Sequence, residues 1–175
     1  MKKLLFPPVV ILFICFVVVS ILISNASADV APTFVSKWGT YGDAAGQLNY
    51  PRSITVDSDG FIYVADEGSC RMQKFTSDGV YFNDWETCSL ANIDGLAVDS
   101  QNNIYVSGST SARVEKYTSK GRLLFSIGGN KGTAEGYFLG HQYDVAVDSK
   151  DNVYVLDASG GAVGNYGVHV FSNNG

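Results

Sequence analysis

The stretch VDSDGFIYVADEGSCRMQKFTSDG, residues 56–79, returns as VDSQNNIYVSGSTSARVEKYTSKG over 98–121 and opens a third time as VDSKDNVYVLDASGG from residue 147. A long-period repeat constrains the fold more than any local preference, because each unit must be one supersecondary element that stacks on its neighbours. Tyr63, Tyr105 and Tyr154 mark the phase with spacings of 42 and 49, and Asp57, Asp99 and Asp148 keep the same two. Phe75, Tyr117 and Phe171 follow at 42 and 54, so the third unit carries extra residues after Asp157.

Each unit divides into short strands. SITV, GLAV and DVAV, ending at Val56, Val98 and Val147, are small-residue strands suited to a place where several sheets converge. An Asp-Ser turn follows each, with Gly60, Asn102 or Asp151 late in it, the residue types that tolerate positive φ. The next strand, IYV or VYV, alternates β-branched and aromatic residues. A third, RMQKF, RVEKY or VHVF, runs into turns closed by Gly79, Gly121 and Gly175, and VYFNDW and RLLFSI form a fourth. Four antiparallel strands per unit with no helical period predict an all-β chain of β-propeller blades. A sandwich or barrel of evenly spaced strands would not require the same residues at the same phase.

These residues also resemble the NHL repeat. GQLNYP before the inner strand, then VDSDG, YVAD, Arg71-x-Gln-Lys-Phe and a closing Asp-Gly carry the likeness in the first unit. It extends from Phe34 to Gly175 in units of about 34–79, 80–121 and 122–175. The second unit has Gly108 where the family favours Asp and keeps Arg113; the third keeps Asp157 but has Gly167 in place of the arginine. The resemblance implies a ring of six blades, of which three are present, serving as a platform for proteins, RNA or carbohydrate. It also implies an enzymatic alternative, since some relatives are metal-dependent amidating lyases acting on peptidylglycine.

TFVSKWG aligns with the later fourth strands, Phe34 with Tyr81 and Leu123, and Trp38 with Trp85 and Ile127. The chain is therefore expected to start with a fourth strand and to stop after a third. Three blades cannot close a ring. Either this is half of a longer six-blade chain, which the sequence favours, or two copies form a homodimer that closes head-to-tail.

Lys2 and Lys3, an apolar run from Val9 to Ile23, and Ala26-Ser27-Ala28 have the layout of a secretory signal peptide over residues 1–28. The 15-residue run falls short of the ~20 residues that span a bilayer. The expectation is a secreted or cell-surface domain over 29–175, with a membrane association only if the leader is retained as an anchor. Without its two lysines the domain has 10 basic and 17 acidic residues. That balance gives no electrostatic case for nucleic acid. Cys70 and Cys88, the pair left in an oxidising compartment, are expected to form a disulfide rather than remain free thiols.

In an antiparallel blade the second-to-third loop and the loop into the next blade share one face. That face is expected to hold the Gly- and Tyr-rich loops, and candidate binding residues are Tyr41, Tyr50, Arg71, Arg113, His141, Tyr143 and Tyr166. Tyr50 and Tyr143 have an equal alternative role, packing between blades. Arg71 and Arg113 have one in pairing with acids such as Asp66 or Glu67. No catalytic group, cofactor or metal site is expected: Asp57-x-Asp59-Gly60 reads as a solvated turn, and His169 as a strand-surface residue. The expected function is non-catalytic recognition of a protein, peptide or carbohydrate. The alternatives are a metal enzyme using His141, or a structural surface-layer module.

Overall fold

The computed structural model describes residues 31–90, 92–129, 138, 142–158 and 166–173. The expected signal peptide lies outside them. Two compact units divide the chain, residues 1–37 and 38–175. In the first, residues 31–37 are exposed and form no strand. The expected TFVSKWG strand is therefore absent among the described residues. A strand is held by its ladder hydrogen bonds, and no described strand pairs with this segment.

The second unit is built of antiparallel sheets. A short parallel ribbon comes first, β1 (Thr40–Tyr41) with β2 (Gln47–Leu48). Blade one is β3 (Pro51–Val56), β4 (Ile62–Asp66), β5 (Arg71–Phe75) and β6 (Tyr81–Glu86), in that spatial order. Blade two is β7 (Ile93–Val98), β8 (Ile104–Gly108), β9 (Arg113–Tyr117) and β10 (Leu123–Gly128), likewise in order. Among the described residues blade three has three strands, β11 (Gln142–Val147), β12 (Val153–Asp157) and β13 (Gly167–Phe171). The first strand of each blade packs against the next, β3 on β7 and β7 on β11, so these are the inner strands of a propeller.

Apolar cores lie between blades. Tyr63, Ala65 and Met72 of blade one meet Leu90, Ile93, Leu96, Ile104, Val106 and Tyr117 of blade two. Tyr105, Val114 and Ala97 of blade two meet Phe138, Val145, Val153 and Val155 across the second junction. Each fully buried side chain of this size contributes about 1.5–3 kcal/mol. Trp85 and Gly121 show why a glycine closes the outer turn: a Cβ on Gly121 would come within 2.6 Å of the Trp85 ring, and its φ is +85°. Trp38 covers Gly79 in the same way and stacks on Phe75 at 4.7 Å. Trp38 thus holds the place predicted from its alignment with Trp85, although no strand carries it there.

The Asp-Ser turns clasp neighbouring blades. Ser58 donates from its N–H and hydroxyl to Asn102 Oδ1, and Ser100 donates likewise to Asp151. Asn102 and Asp151 have φ of 60° and 61°, as the turn reading requires.

Candidate functional site

Buried polar groups in the blades serve the fold. Asp57 is buried rather than solvated: its Oδ1 accepts the N–H groups of Asp59 and Phe61, and its Oδ2 accepts the Tyr63 hydroxyl at 2.7 Å. Burial first, then this carboxylate, push the Tyr63 phenol well above its usual range. Asp99 is paired with Lys116 at 2.8 Å, whereas Lys74 stands 3.9 Å from Asp57. The difference shows in their titration. Burial lowers Lys74; it is also the largest effect at Lys116, but there the hydrogen bonds and charges of Asp99 and Tyr105 together prevail and the amine is raised. Short side chains bonding their own turn, as Asp57 does, are a common solution for a tight bend.

The two arginines are committed internally. Arg71 reaches Asp66 and Asp84, each at 3.2 Å, and donates to the carbonyls of Ala44 and Gln47. Gln73 adds bonds to Asp66 and to the Gln47 carbonyl, so the 42–49 loop is pinned to blade one. Arg113 pairs with Glu115 at 2.8 Å and donates to the Ser89 carbonyl. Their internal alternative, rather than a ligand role, is what these geometries support, with Glu67 taken by Arg52 at 2.6 Å instead. His169 is not on the strand surface either. It is half-buried, 3.8 Å from Asp157 and edge-on to Phe138.

Cys70 and Cys88 are free, exposed thiols, not the expected disulfide. They stand side by side at the end of the β5–β6 hairpin. The Cys70 carbonyl accepts the Thr87 N–H at 2.9 Å and the Cys88 thiol at 3.7 Å. Hydrogen bonding to Cys70, with burial and Glu86 adding to it, pushes the Cys88 thiol up to about 11.

One end of the blades gathers what remains. The loops there are tied together through Gly68 N–H to Asn49, Thr87 N–H to Cys70 and Ser109 N–H to Asn92. Tyr41, Tyr50 and Tyr166 are exposed at this end, Tyr50 by 74%. Tyr50 has φ 52°, and Asn92 at the same phase of the next unit has φ 55°. Asparagine tolerates that region; a bulky ring does not, and such backbone costs about 1–3 kcal/mol. Tyr143 is placed by its backbone in β11, and His141 lies outside the described residues.

Each inner strand also breaks register at its first turn, between Pro51 and Ser53, Ile93 and Gly95, and Gln142 and Asp144. The residue skipped is Arg52, Asp94 or Tyr143. Bulges re-aim a side chain and recur beside functional sites. Arg52 is held by Glu67, whose hydrogen bond and charge, with Asp94 adding to them, raise the guanidinium. Asp94 Oδ2 is buried without a hydrogen-bond partner among the described residues. Arg52 and Asp94 escaped the sequence reading, yet a signal existed: they share the phase of Tyr143, at spacings of 42 and 49, while their identity changes. Among the described residues no group of three His, Cys, Asp or Glu side chains is placed to hold a metal.

Antiparallel blades stacked by their inner strands define a β-propeller repeat protein. Residues 48–75 match the NHL repeat model, and residues 89–113 match a β-propeller repeat model. NHL repeat-containing protein 3 from Homo sapiens is 33% identical over 69 residues, covering 38% of this chain and 20% of that protein. Its Mus musculus counterpart is 32% identical over the same length. Among solved structures, a streptogramin B lyase matches with a TM-score of 0.55 and 13% identity, covering 80% of this chain and 45% of the lyase. The chain spans about a fifth of the curated relatives and under half of the lyase. At 13% identity the likeness to the lyase shows the fold alone.

Proposed function

We propose that this is an exported, non-catalytic binding protein that recognises a protein, peptide or carbohydrate through the loop-rich end of its blades. One observation carries the reading. Tyr50 is held 74% exposed in a left-handed backbone that a ring does not prefer, two residues before the bulge residue Arg52. Backbone strain of this kind persists where surrounding structure enforces it, and it clusters at ligand sites. A tyrosine combines a stacking face with a hydroxyl donor at small entropic cost, which suits sugar rings and peptide side chains alike.

The test is the exported full chain on glycan and peptide arrays, followed by titration of whichever probe it retains. Tyr50→Asn, copying Asn92, should weaken binding at least tenfold while leaving the fold as stable or about 1 kcal/mol more stable. Tyr166→Ala should weaken it too. Retained probes whose affinity ignores both substitutions, or arrays that retain nothing, would overturn the reading.

A further inference from the structure

Setting the three blades over one another separates the scaffold from what is added to it. Side chains that build a blade recur at its phase, as Asp57 does at Asp99 and Asp148, and Tyr63 at Tyr105 and Tyr154. Three positions at the loop-rich end do not recur. At spacings of 42 and 49, Tyr50 is followed by Asn92 and His141, Arg52 by Asp94 and Tyr143, and Glu67 by Ser109 and Ala158. Blade one alone therefore carries the Arg52–Glu67 pair and the strained Tyr50. Neither junction core contains any of the three.

Their geometry suits a small polar ligand. Arg52 is the residue skipped at the bulge of β3, its side chain is 53% exposed, and Glu67 accepts only from its Nε, at 2.6 Å. Its two terminal nitrogens make no hydrogen bond among the described residues. A guanidinium held by Nε has a fixed plane and presents its outer edge as a rigid donor fork. The exposed Tyr50 is two residues away, a span of at most about 7 Å along the chain. Asp94 is skipped at the matching bulge of β7, the inner strand packed against β3. Glu67 first, and Asp94 as well, raise the Arg52 guanidinium.

Charge then decides the class of ligand. One cation beside two carboxylates leaves a surplus of negative charge, in a chain that is itself net acidic. A ligand carboxylate or phosphate would be a third anion around one guanidinium, and a ligand ammonium would meet Arg52 itself; like charges set together are costly. An uncharged polyol meets neither penalty. Each hydroxyl both donates and accepts, so neighbouring hydroxyls can take a hydrogen from the Arg52 fork and give one to a carboxylate. The apolar face of a sugar ring stacks on a tyrosine.

We propose that Tyr50, Arg52, Glu67 and Asp94 form a subsite for an uncharged hexopyranose of a neutral glycan. The inference rests on the loop-rich end being a binding surface, and narrows that reading to one ligand class. Tyr50 supplies the stacking face and Arg52 the donors. Glu67 holds the plane of Arg52 and, with Asp94, turns anions away.

Saturation-transfer NMR on the full chain tests this, with the methyl glycosides of glucose, galactose, mannose and N-acetylglucosamine as neutral probes. Methyl glucuronide and the tripeptide Gly-Lys-Gly are the charged ones. At least one neutral glycoside should receive transfer at its ring protons. Its titration should weaken at least tenfold with Tyr50→Asn, with Arg52→Met and with Arg52→Lys, which keeps the charge but not the fork. Asp94→Asn removes a negative charge and leaves the fork in place, so it should improve methyl glucuronide relative to the neutral glycoside at least threefold. A wild type that prefers the glucuronide or the lysyl peptide, affinity indifferent to Arg52, or no transfer to any neutral glycoside would overturn the proposal. The wider reading fails separately: a peptide retained on the arrays and weakened by Tyr50→Asn keeps the binding surface while ruling out the sugar.

Discussion

At the scale of single residues, the conserved phase of the repeat is spent on buried charge. Asp99 and Lys116 are both nearly inaccessible and in contact, with Asn103 adding bonds to the same carboxylate. Burial works to raise Asp99, but hydrogen bonds from Lys116 and Asn103 prevail and hold it below the usual carboxylate range. A carboxyl whose folded pKa is depressed contributes stability above its unfolded pKa, about 4, and that contribution is lost as pH falls through the folded value. Asp99→Asn leaves Lys116 buried and unpaired, which should cost about 3–5 kcal/mol at pH 7. Denaturant unfolding across pH checks the sign: the gap between wild type and variant should narrow below about pH 4. A gap that stays constant to pH 2 would mean the pair is not what Asp99 contributes.

At the scale of elements, the β5–β6 hairpin is where redox chemistry can act on the fold. Its Cys70 and Cys88 thiols adjoin, and the Cys88 thiol, pushed up to about 11, is protonated and a poor nucleophile at neutral pH. Oxidised glutathione should nonetheless close them by exchange. One thiolate attacks a glutathione sulfur and releases one glutathione; the second thiol then displaces the other, leaving a protein disulfide and two reduced glutathiones. Mass spectrometry should show the loss of two hydrogens, formed faster at pH 9 than at pH 7. Closing a loop of 18 residues should raise Tm by roughly 6–12 °C. Persistent mixed disulfides, or a Tm that falls, would show that Cys70, in its left-handed conformation with φ 53°, cannot reach disulfide geometry. The strands themselves were legible in the sequence, since alternation, turn residues and a fixed phase all agreed. TFVSKWG was misread because a strand-like pattern does not form a strand without a ladder partner. Asp57 was misread because a charged residue in a turn is taken as solvated until a buried partner is known, here the Tyr63 hydroxyl. Arg52 and Asp94 were missed because a bulge changes register without changing residue type.

At the scale of the whole molecule, the repeat makes stability nearly one-dimensional: each blade is held by its two neighbours. Blade two alone has both faces covered within one chain, and every residue of β8 is buried. Blade one leaves Ile54 and Val56 bare, and blade three Val168 and Val170. Native-state hydrogen exchange reads this directly, because protection reports the free energy of local opening. For the chain of residues 1–175, protection should be highest in β8 and fall by at least tenfold toward β3 on one side and β13 on the other, because Ile54 and Val168 leave those outer faces in water. Val106→Ala, which opens the packing of β8 against blade one, should lower protection in β4 and β5 as well as in β8 and leave β12 little changed. Protection that is uniform from β3 to β13, or a Val106→Ala effect that spreads evenly to β12, would show that the blades open as one unit rather than junction by junction.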